Sequence, residues 1–188
     1  MELSEERFEE IKNDVKTHLL GHEKRYIHIL GVVEMAEYLA NLYGVNPIKA
    51  KIAAVLHDYS KYDTNIEVLS ESDQEECKNN PYLLHAYLSE YNAKKIFNIE
   101  DMDILLAIRN HVIGRVGMSR LEEIIFISDF TEKNRVYDDC IKCRDILLKK
   151  GIDEAIIYSY ESTMKHVDNP NPLQLKVLNY YKEKIKNA

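Results

Sequence analysis

The stretch AAVLHDYSK, residues 53–61, decides the fold because it joins an apolar helical run to two polar side chains. Ala50, Ala53 and His57 stand at positions i, i+3 and i+7, so His57 lies on the helix stripe that faces the core. Asp58 is one step further round, at the edge of that stripe. A carboxylate buried beside an imidazole costs several kcal/mol unless a cation or a hydrogen-bond network compensates. A metal ion is the most economical way to supply that compensation.

Length and composition limit the range of functions. The chain has 188 residues, 45% hydrophobic and 30% charged, which predicts one well-packed domain spanning 1–188. Its formal net charge of -7 lacks the basic surface that nucleic-acid binding requires. No apolar run approaches the ~18 to 20 residues of a membrane span, and the first 15 residues are acidic and amphipathic. We therefore expect a soluble, cytoplasmic protein with no nucleic-acid or membrane partner.

The apolar spacing predicts an all-α fold. Only 6 Gly and 4 Pro interrupt segments whose apolar residues recur at helical intervals. Asn46-Pro47 reads as a cap followed by a first-turn proline, and Ser119 with Glu122 reads as a capping box. Residues 62–80 predict a loop with one short helix. The remaining helices are expected at about 4–20, 24–43, 81–97, 100–112, 137–150, 152–167 and 172–186.

The cysteines do not form a disulfide framework. Cys77, Cys140 and Cys143 are odd in number, and the single C-x-x-C formed by the last two has no second pair. Its flanks are those of a charged helix. Free helical thiols are therefore favoured over a zinc site.

Four more predicted helices repeat the pattern of the opening stretch. His28, His111 and Asp129 each stand three, four or seven residues from apolar neighbours, and His85 lies one turn into its helix. A single histidine on an apolar face is more often a satisfied core residue than a ligand. Five helices that each direct one or two such side chains inward are explained together by one shared polyvalent metal centre.

These motifs carry a family resemblance. The order His28, then His57-Asp58, then Asp129 resembles the HD-domain metal-dependent phosphohydrolases, whose fold is an orthogonal helical bundle. The intervening His85 and His111 match the variant of that family that holds two metals. More narrowly, the chain resembles bacterial HD-domain hydrolases that split diadenosine tetraphosphate symmetrically into two ADP. The quoted similarity rests on KRYIHILGVVEMAEYLA (24–40), AAVLHDYSK, LLHAYL (83–88), AIRNHVIG (107–114) and SDFTEKNR (128–135), within a motif-bearing core of about 22–135.

The resemblance implies a role for each polar residue of the motifs. His28, His57, Asp58 and Asp129 would hold the first metal, and His85 and His111 the second, with Asp58 bridging. Water activated by the two ions, rather than a protein side chain, would then attack phosphorus. The helices at about 137–188 carry no motif and would pack on this core.

Basic residues near the motifs are candidates for phosphate binding. Lys61 follows His57 by four residues, on the same face if the helix continues, and could reach a phosphate oxygen. Arg25 precedes His28 by three residues and could do the same or orient a ligand carboxylate. Arg135 belongs to the retained motif, while Arg109 and Arg115 flank His111 and are secondary candidates for the far phosphates.

The ligand set and two departures from the family pattern bear on metal and substrate. Four imidazoles suit iron or manganese better than magnesium, and the resemblance points to iron. Val112-Ile113 stand where the family usually has two threonines, and Lys133 replaces a proline. Another nucleotide, such as a nucleoside monophosphate or a guanosine polyphosphate alarmone, and a non-catalytic nucleotide-binding module therefore stay open. A homodimer is also left open.

Overall fold

Helices account for all of the regular secondary structure in the part of the chain that is described. A computed structural model describes residues 3–167 and 169–187, and within them the chain forms ten α-helices, two short 3-10 helices and no strand. The prediction of an all-α fold is confirmed. The helices are α1 Glu5–His18, α2 Glu23–Tyr43, α3 Pro47–Leu56, α4 Glu71–Asn79, α5 Leu84–Lys95, α6 Met102–Arg109, α7 Arg120–Thr131, α8 Asp138–Lys150, α9 Ile152–Met164 and α10 Pro172–Lys186; the 3-10 helices are Ile66–Val68 and Pro81–Leu83.

The predicted helix boundaries are confirmed where capping residues mark them. The Asn46 side chain accepts hydrogen bonds from the Ile48 and Lys49 amides at the start of α3. Ser119 and Glu122 form both hydrogen bonds of a capping box at the start of α7. Gly44 ends α2 in the left-handed conformation, with φ of +70°, which a residue without Cβ adopts at little cost.

Helix α3 is the centre of the bundle. It packs against α1, α2, α6 and α7, and its residues from Ala50 to Leu56 are all buried. Three of them are alanines with 0% exposure, and these small side chains let the neighbouring helices approach closely. Because α3 is covered on every side, whatever follows Leu56 is delivered directly into the interior.

Two helices end earlier than the apolar pattern predicts. Helix α3 stops at Leu56, and residues 57–62 form consecutive turns, so Lys61 does not share a helical face with His57. Helix α6 stops at Arg109 rather than near Val112, and a turn carries His111 toward Gly114. In both places a functional histidine lies in the turn that follows a helix, because the chain must change direction there.

The segment at 62–80 has more helix than predicted. Helix α4 covers nine residues, starts at a Ser70 cap and buries only Cys77. A helix with one buried side chain leaves almost no apolar periodicity in the sequence. The one short helix predicted within this segment is therefore α4, whose bounds the pattern could not give.

The last three helices pack against the motif-bearing part of the chain. Helices α8 and α10 both contact α9, and α9 contacts α7. The Tyr181 hydroxyl donates to the buried Glu123 carboxylate at 2.7 Å, which ties α10 to α7.

All three cysteines are free, as the sequence predicts, and all three are buried. No helix of the described chain is long and apolar enough to cross a membrane. The single-domain prediction also includes Met1, Glu2, Asp168 and Ala188, which lie outside the described residues.

Candidate metal centre

Six side chains from five parts of the bundle meet at one point. The structure brings together the residues that the sequence singled out: His28 on α2, His57 and Asp58 after α3, His85 on α5, His111 after α6 and Asp129 on α7. The His28 Nε2 atom lies 3.0 Å from Asp129 Oδ1, and His57 Nε2 lies 4.0 Å from the same oxygen. Two groups of three within this cluster, His28/His57/Asp129 and His57/Asp58/His111, have ligand atoms within 4.8 Å of one another.

Asp58 stands between two pairs of histidines. Its Oδ2 atom lies 3.5 Å from His57 Nε2 and 4.0 Å from His28 Nε2. Its Oδ1 atom lies 3.2 Å from His85 Nε2 and 3.6 Å from His111 Nε2. Each carboxylate oxygen therefore faces a different pair of imidazoles.

Hydrogen bonds on the far side of the imidazoles fix their orientation. His57 Nδ1 donates to the Ala54 carbonyl at 2.6 Å, and His111 Nδ1 donates to the Ile108 carbonyl at 2.7 Å. A carbonyl oxygen can only accept, so each of these rings carries a hydrogen on Nδ1, which leaves Nε2 as the atom that can offer a lone pair. Both lone pairs point into the cluster, as metal ligands require.

The third imidazole is oriented by a carboxylate that the sequence did not single out. His28 Nδ1 lies 3.2 Å from Oε1 of Glu132, which is 1% exposed. The other oxygen of Glu132 accepts from the Asn134 amide at 2.7 Å. The position of Glu132, three residues after Asp129, was visible in the sequence. Its contact with His28 was not, because the two residues are 104 positions apart.

Several polar atoms of the cluster lack a hydrogen-bond partner. In the described part of the chain these include His28 Nε2, His57 Nε2 and Asp58 Oδ1, all buried. An unsatisfied buried polar atom costs about 1–3 kcal/mol. His28 Nε2 and Asp129 Oδ1 are also only 3.0 Å apart, close enough for one ion to bind both atoms. The orphaned nitrogens and carboxylate oxygens of the cluster therefore fit divalent metal ions.

Burial sets the protonation states that metal binding needs. Desolvation lowers the pKa of His57 and of His85, which favours neutral imidazoles. Burial acts to raise the pKa of Asp58 and Asp129, but the neighbouring imidazoles, and for Asp129 also Arg135, hold both pKa values well below the usual range. Neutral imidazoles and ionised carboxylates are the forms that bind metal.

Three cations surround the cluster. Arg25 donates to Asp58 Oδ2 and Arg135 to Asp129 Oδ1, each at 2.7 Å. Lys61 Nζ lies 3.4 Å from Asp58 Oδ1 and 3.1 Å from His85 Nε2, so the turn after α3 delivers it to the site without a helix. A cavity of about 230 Å³ opens here and is lined by Lys24, Arg25, His28, Tyr62 and Arg135.

Two arginines expected near the far phosphates are occupied elsewhere. Arg109 is held between Asp73 and Glu90, the latter at 2.6 Å, and its guanidinium stacks on Tyr87. Arg115 makes a two-pronged contact with Glu122 at 2.7 and 2.6 Å. Both arginines are ion-paired within the protein, as Arg25 and Arg135 are, so phosphate binding by Arg109 or Arg115 stays a prediction. The sequence could not reveal this, because Arg109 and Asp73 are 36 residues apart.

The helical bundle and its cluster define the class of the protein. The chain belongs to the HD domain family, which matches residues 25–150. This family is metal-dependent, and the two groups of histidine and aspartate described above could hold metal.

Individual relatives and a solved structure agree with this class. The chain is 41% identical over 155 residues to a protein of Halalkalibacterium halodurans named bis(5'-nucleosyl)-tetraphosphatase, symmetrical, with 80% of this chain and 81% of that one covered. A Bacillus subtilis protein of the same name is 37% identical, with 80% and 82% covered. A crystal structure of an HD superfamily hydrolase from Clostridium acetobutylicum, described as involved in NAD metabolism, aligns with a TM-score of 0.80 and 31% identity, covering 92% of this chain and 97% of that one.

Proposed function

We propose that the chain is a metal-dependent hydrolase that cleaves diadenosine tetraphosphate symmetrically into two ADP. The observation that carries this proposal is the position of Asp58, whose two oxygens face two separate pairs of imidazoles. The names of the Halalkalibacterium and Bacillus relatives supply the substrate class and the symmetry of cleavage.

The distances support a division of the ligands between two ions. His28, His57 and Asp129 would hold one ion together with Asp58 Oδ2, and His85 and His111 would hold the other together with Asp58 Oδ1. Asp58 is 2% exposed and His57 is 0% exposed, so bulk water has little access to the ligand atoms of these two side chains. Four nitrogen and two carboxylate donors suit iron or manganese better than magnesium, and the family resemblance points to iron.

The ions would supply activated water and positive charge at the central phosphates, since each bound divalent ion lowers the pKa of water. Hydrolysis adds one water to a central phosphorus and breaks its bond to the bridging oxygen, so that both products are ADP.

Three cations compensate the charges of the Asp58 and Asp129 carboxylates: Arg25, Arg135 and Lys61. When ions take over that compensation, these three side chains can turn to the phosphate oxygens. Lys61, which contacts the oxygen of Asp58 that faces His85 and His111, is placed to offset charge on the departing ADP.

Product analysis tests the proposal. Metal-free protein, reconstituted anaerobically with ferrous iron, is incubated with diadenosine tetraphosphate, and the nucleotides are separated by chromatography. ADP as the sole product is expected, with no turnover in a chelated sample. AMP together with ATP would contradict symmetrical cleavage, and the absence of any product would overturn the proposed function.

A further inference from the structure

A second and larger cavity shares no lining residue with the cavity that contains the arginines. It has a volume of about 650 Å³ and is bordered by the 3-10 helix Pro81–Leu83, the end of α9 and the start of α10. Sites for drug-sized ligands have volumes of about 300–1,000 Å³. The cavity is therefore large enough for a nucleoside.

A smaller space, the passage, shares lining residues with both this cavity and the candidate metal centre. A space of about 70 Å³ is lined by His111 and Asp129 at one end. Val112, Thr163 and Gln174 line both this space and the large cavity. A ligand in the large cavity would therefore lie next to the space that reaches the cluster.

The two cavities differ in charge. The 230 Å³ cavity carries Lys24, Arg25 and Arg135. By contrast, none of the described residues that line the large cavity is charged; they are amides, a threonine, a tyrosine and apolar side chains. Phosphates are bound by cations, whereas a base and ribose need neutral hydrogen-bonding groups and an aromatic or apolar surface. The large cavity has the second kind of lining.

The walls of the cavity are fixed by hydrogen bonds between distant parts of the chain. The Asn171 amide donates to Asn80 Oδ1 at 3.1 Å and to the Tyr82 hydroxyl at 3.0 Å. Asn171 also caps α10 by accepting from the Leu173 amide at 2.8 Å. These contacts hold the Tyr82 side chain against the start of α10, and both line the cavity.

Gln174 is the polar group best placed to recognise a ligand there. It is half-buried in the first turn of α10, at the junction of passage and cavity, and no hydrogen bond involves its side chain within residues 3–167 and 169–187. A carboxamide offers one acceptor and two donor hydrogens, which match the edge of adenine. Such a group can bind a ligand without giving up a hydrogen bond to any of the described residues.

From this geometry we propose that the large cavity is the binding site for one nucleoside of the dinucleotide substrate. The base is read by Gln174 and lies against Tyr82, and the phosphates run past Val112 and His111 to the cluster. This inference rests on the proposed function. It gives α9 and α10, which lie outside the residues that the family matches, a direct role in substrate selection.

The test compares Gln174→Ala with Leu175→Ala, which shortens a 43% exposed neighbour on the same helix. Gln174→Ala is expected to raise KM for diadenosine tetraphosphate about tenfold, the effect of a lost bidentate contact to a base, with kcat within about twofold of wild type. Thr163→Trp, which fills the cavity from an exposed position on α9, is expected to raise KM further. Leu175→Ala is expected to match the wild type.

Equilibrium dialysis with ADP separates failure of this inference from failure of the proposed function. Weaker ADP binding by Gln174→Ala and Thr163→Trp, but not by Leu175→Ala, supports the nucleoside site even if the wild type does not hydrolyse diadenosine tetraphosphate. Wild-type KM and wild-type ADP binding in both cavity variants would overturn the inference, whether or not the protein is a hydrolase.

Discussion

The arrangement depends most on Asp58, which lies between all four imidazoles of the cluster. Its carboxylate is 2% exposed and is held ionised by its surroundings, so its charge must be compensated within the protein or by bound ions. Arg25 provides part of that compensation at 2.7 Å. A neutral side chain of the same shape would keep the packing but lose the charge that attracts divalent ions.

Replacing Asp58 by Asn should therefore abolish activity without unfolding the protein. We expect kcat to fall on the order of 10³-fold or more, with an unchanged helical circular dichroism spectrum and fewer bound ions by metal analysis. Asp63→Asn is the matched control, since Asp63 directly follows the same run of turns but contacts His18 at 3.6 Å instead. Retained activity in Asp58→Asn would rule out a bridging carboxylate.

Glu132 should act on metal affinity through His28. Glu132→Ala removes the carboxylate from His28 Nδ1 and is expected to weaken metal binding by about 10–100-fold in a competition titration with a chelator. Glu132→Gln keeps an oxygen that can accept from the ring and should restore most of the affinity. Equal loss in both variants would show that the contact contributes charge rather than orientation.

At the level of elements, helices with caps and an apolar stripe could be predicted from the sequence. Asn46-Pro47 marks the start of α3, Ser119-Glu122 marks that of α7, and Gly44 ends α2, because these signals act within one turn of the chain. The ligand-bearing faces of His28 and Asp129 followed from the same periodicity, whereas His57 and His111 lie in the turns after their helices.

Features that depend on distant partners could not be predicted in this way. Helix α4 buries only Cys77 and so has no apolar stripe to detect. Arg109 is neutralised by Asp73 and Glu90, a contact that exists only once α4, α5 and α6 have packed. The early end of α3 at Leu56 could not be predicted either, because the turns that follow it depend on contacts with distant parts of the chain.

Gly31 should be required on α2 because that helix passes very close to Glu132. A Cβ atom at position 31 would overlap Glu132 Oε2 and lie 2.9 Å from Asn134 Nδ2. Helix propensity alone favours alanine by about 0.5–1 kcal/mol. We nevertheless expect Gly31→Ala to lower the free energy of unfolding by about 1–3 kcal/mol in urea denaturation, since overpacking outweighs propensity.

The control for this change is Asn41→Ala, on an exposed turn of the same helix, which should be neutral or slightly stabilising. A Gly31→Ala protein that is more stable than wild type would mean that Glu132 can move away without cost, and that it does not hold His28 in a fixed orientation.

For the whole molecule, the cluster is a junction between helices that are far apart in sequence. Its ligands come from α2, α5 and α7 and from the turns after α3 and α6. Ions bound at this junction would link most of the helices that surround α3. Metal binding should therefore stabilise the entire fold and not only the site.

Removing metal should lower the melting temperature. For one ion present at about 1,000 times its Kd, stabilisation is about 4 kcal/mol, which corresponds to about 10 °C in a protein of this size. We expect this difference between iron-loaded and chelated protein in differential scanning calorimetry. The Asp58→Asn variant should show a smaller difference, and equal melting temperatures for loaded and chelated wild type would contradict a built metal site.

The most direct test of the central claim is a crystal structure of the manganese-loaded protein with anomalous diffraction at the manganese edge. We expect two anomalous peaks about 3.5–4 Å apart, with Asp58 between them. One peak should lie next to His28 and Asp129, and the other next to His85 and His111. A single peak, or two peaks that Asp58 does not join, would contradict the proposed dinuclear centre.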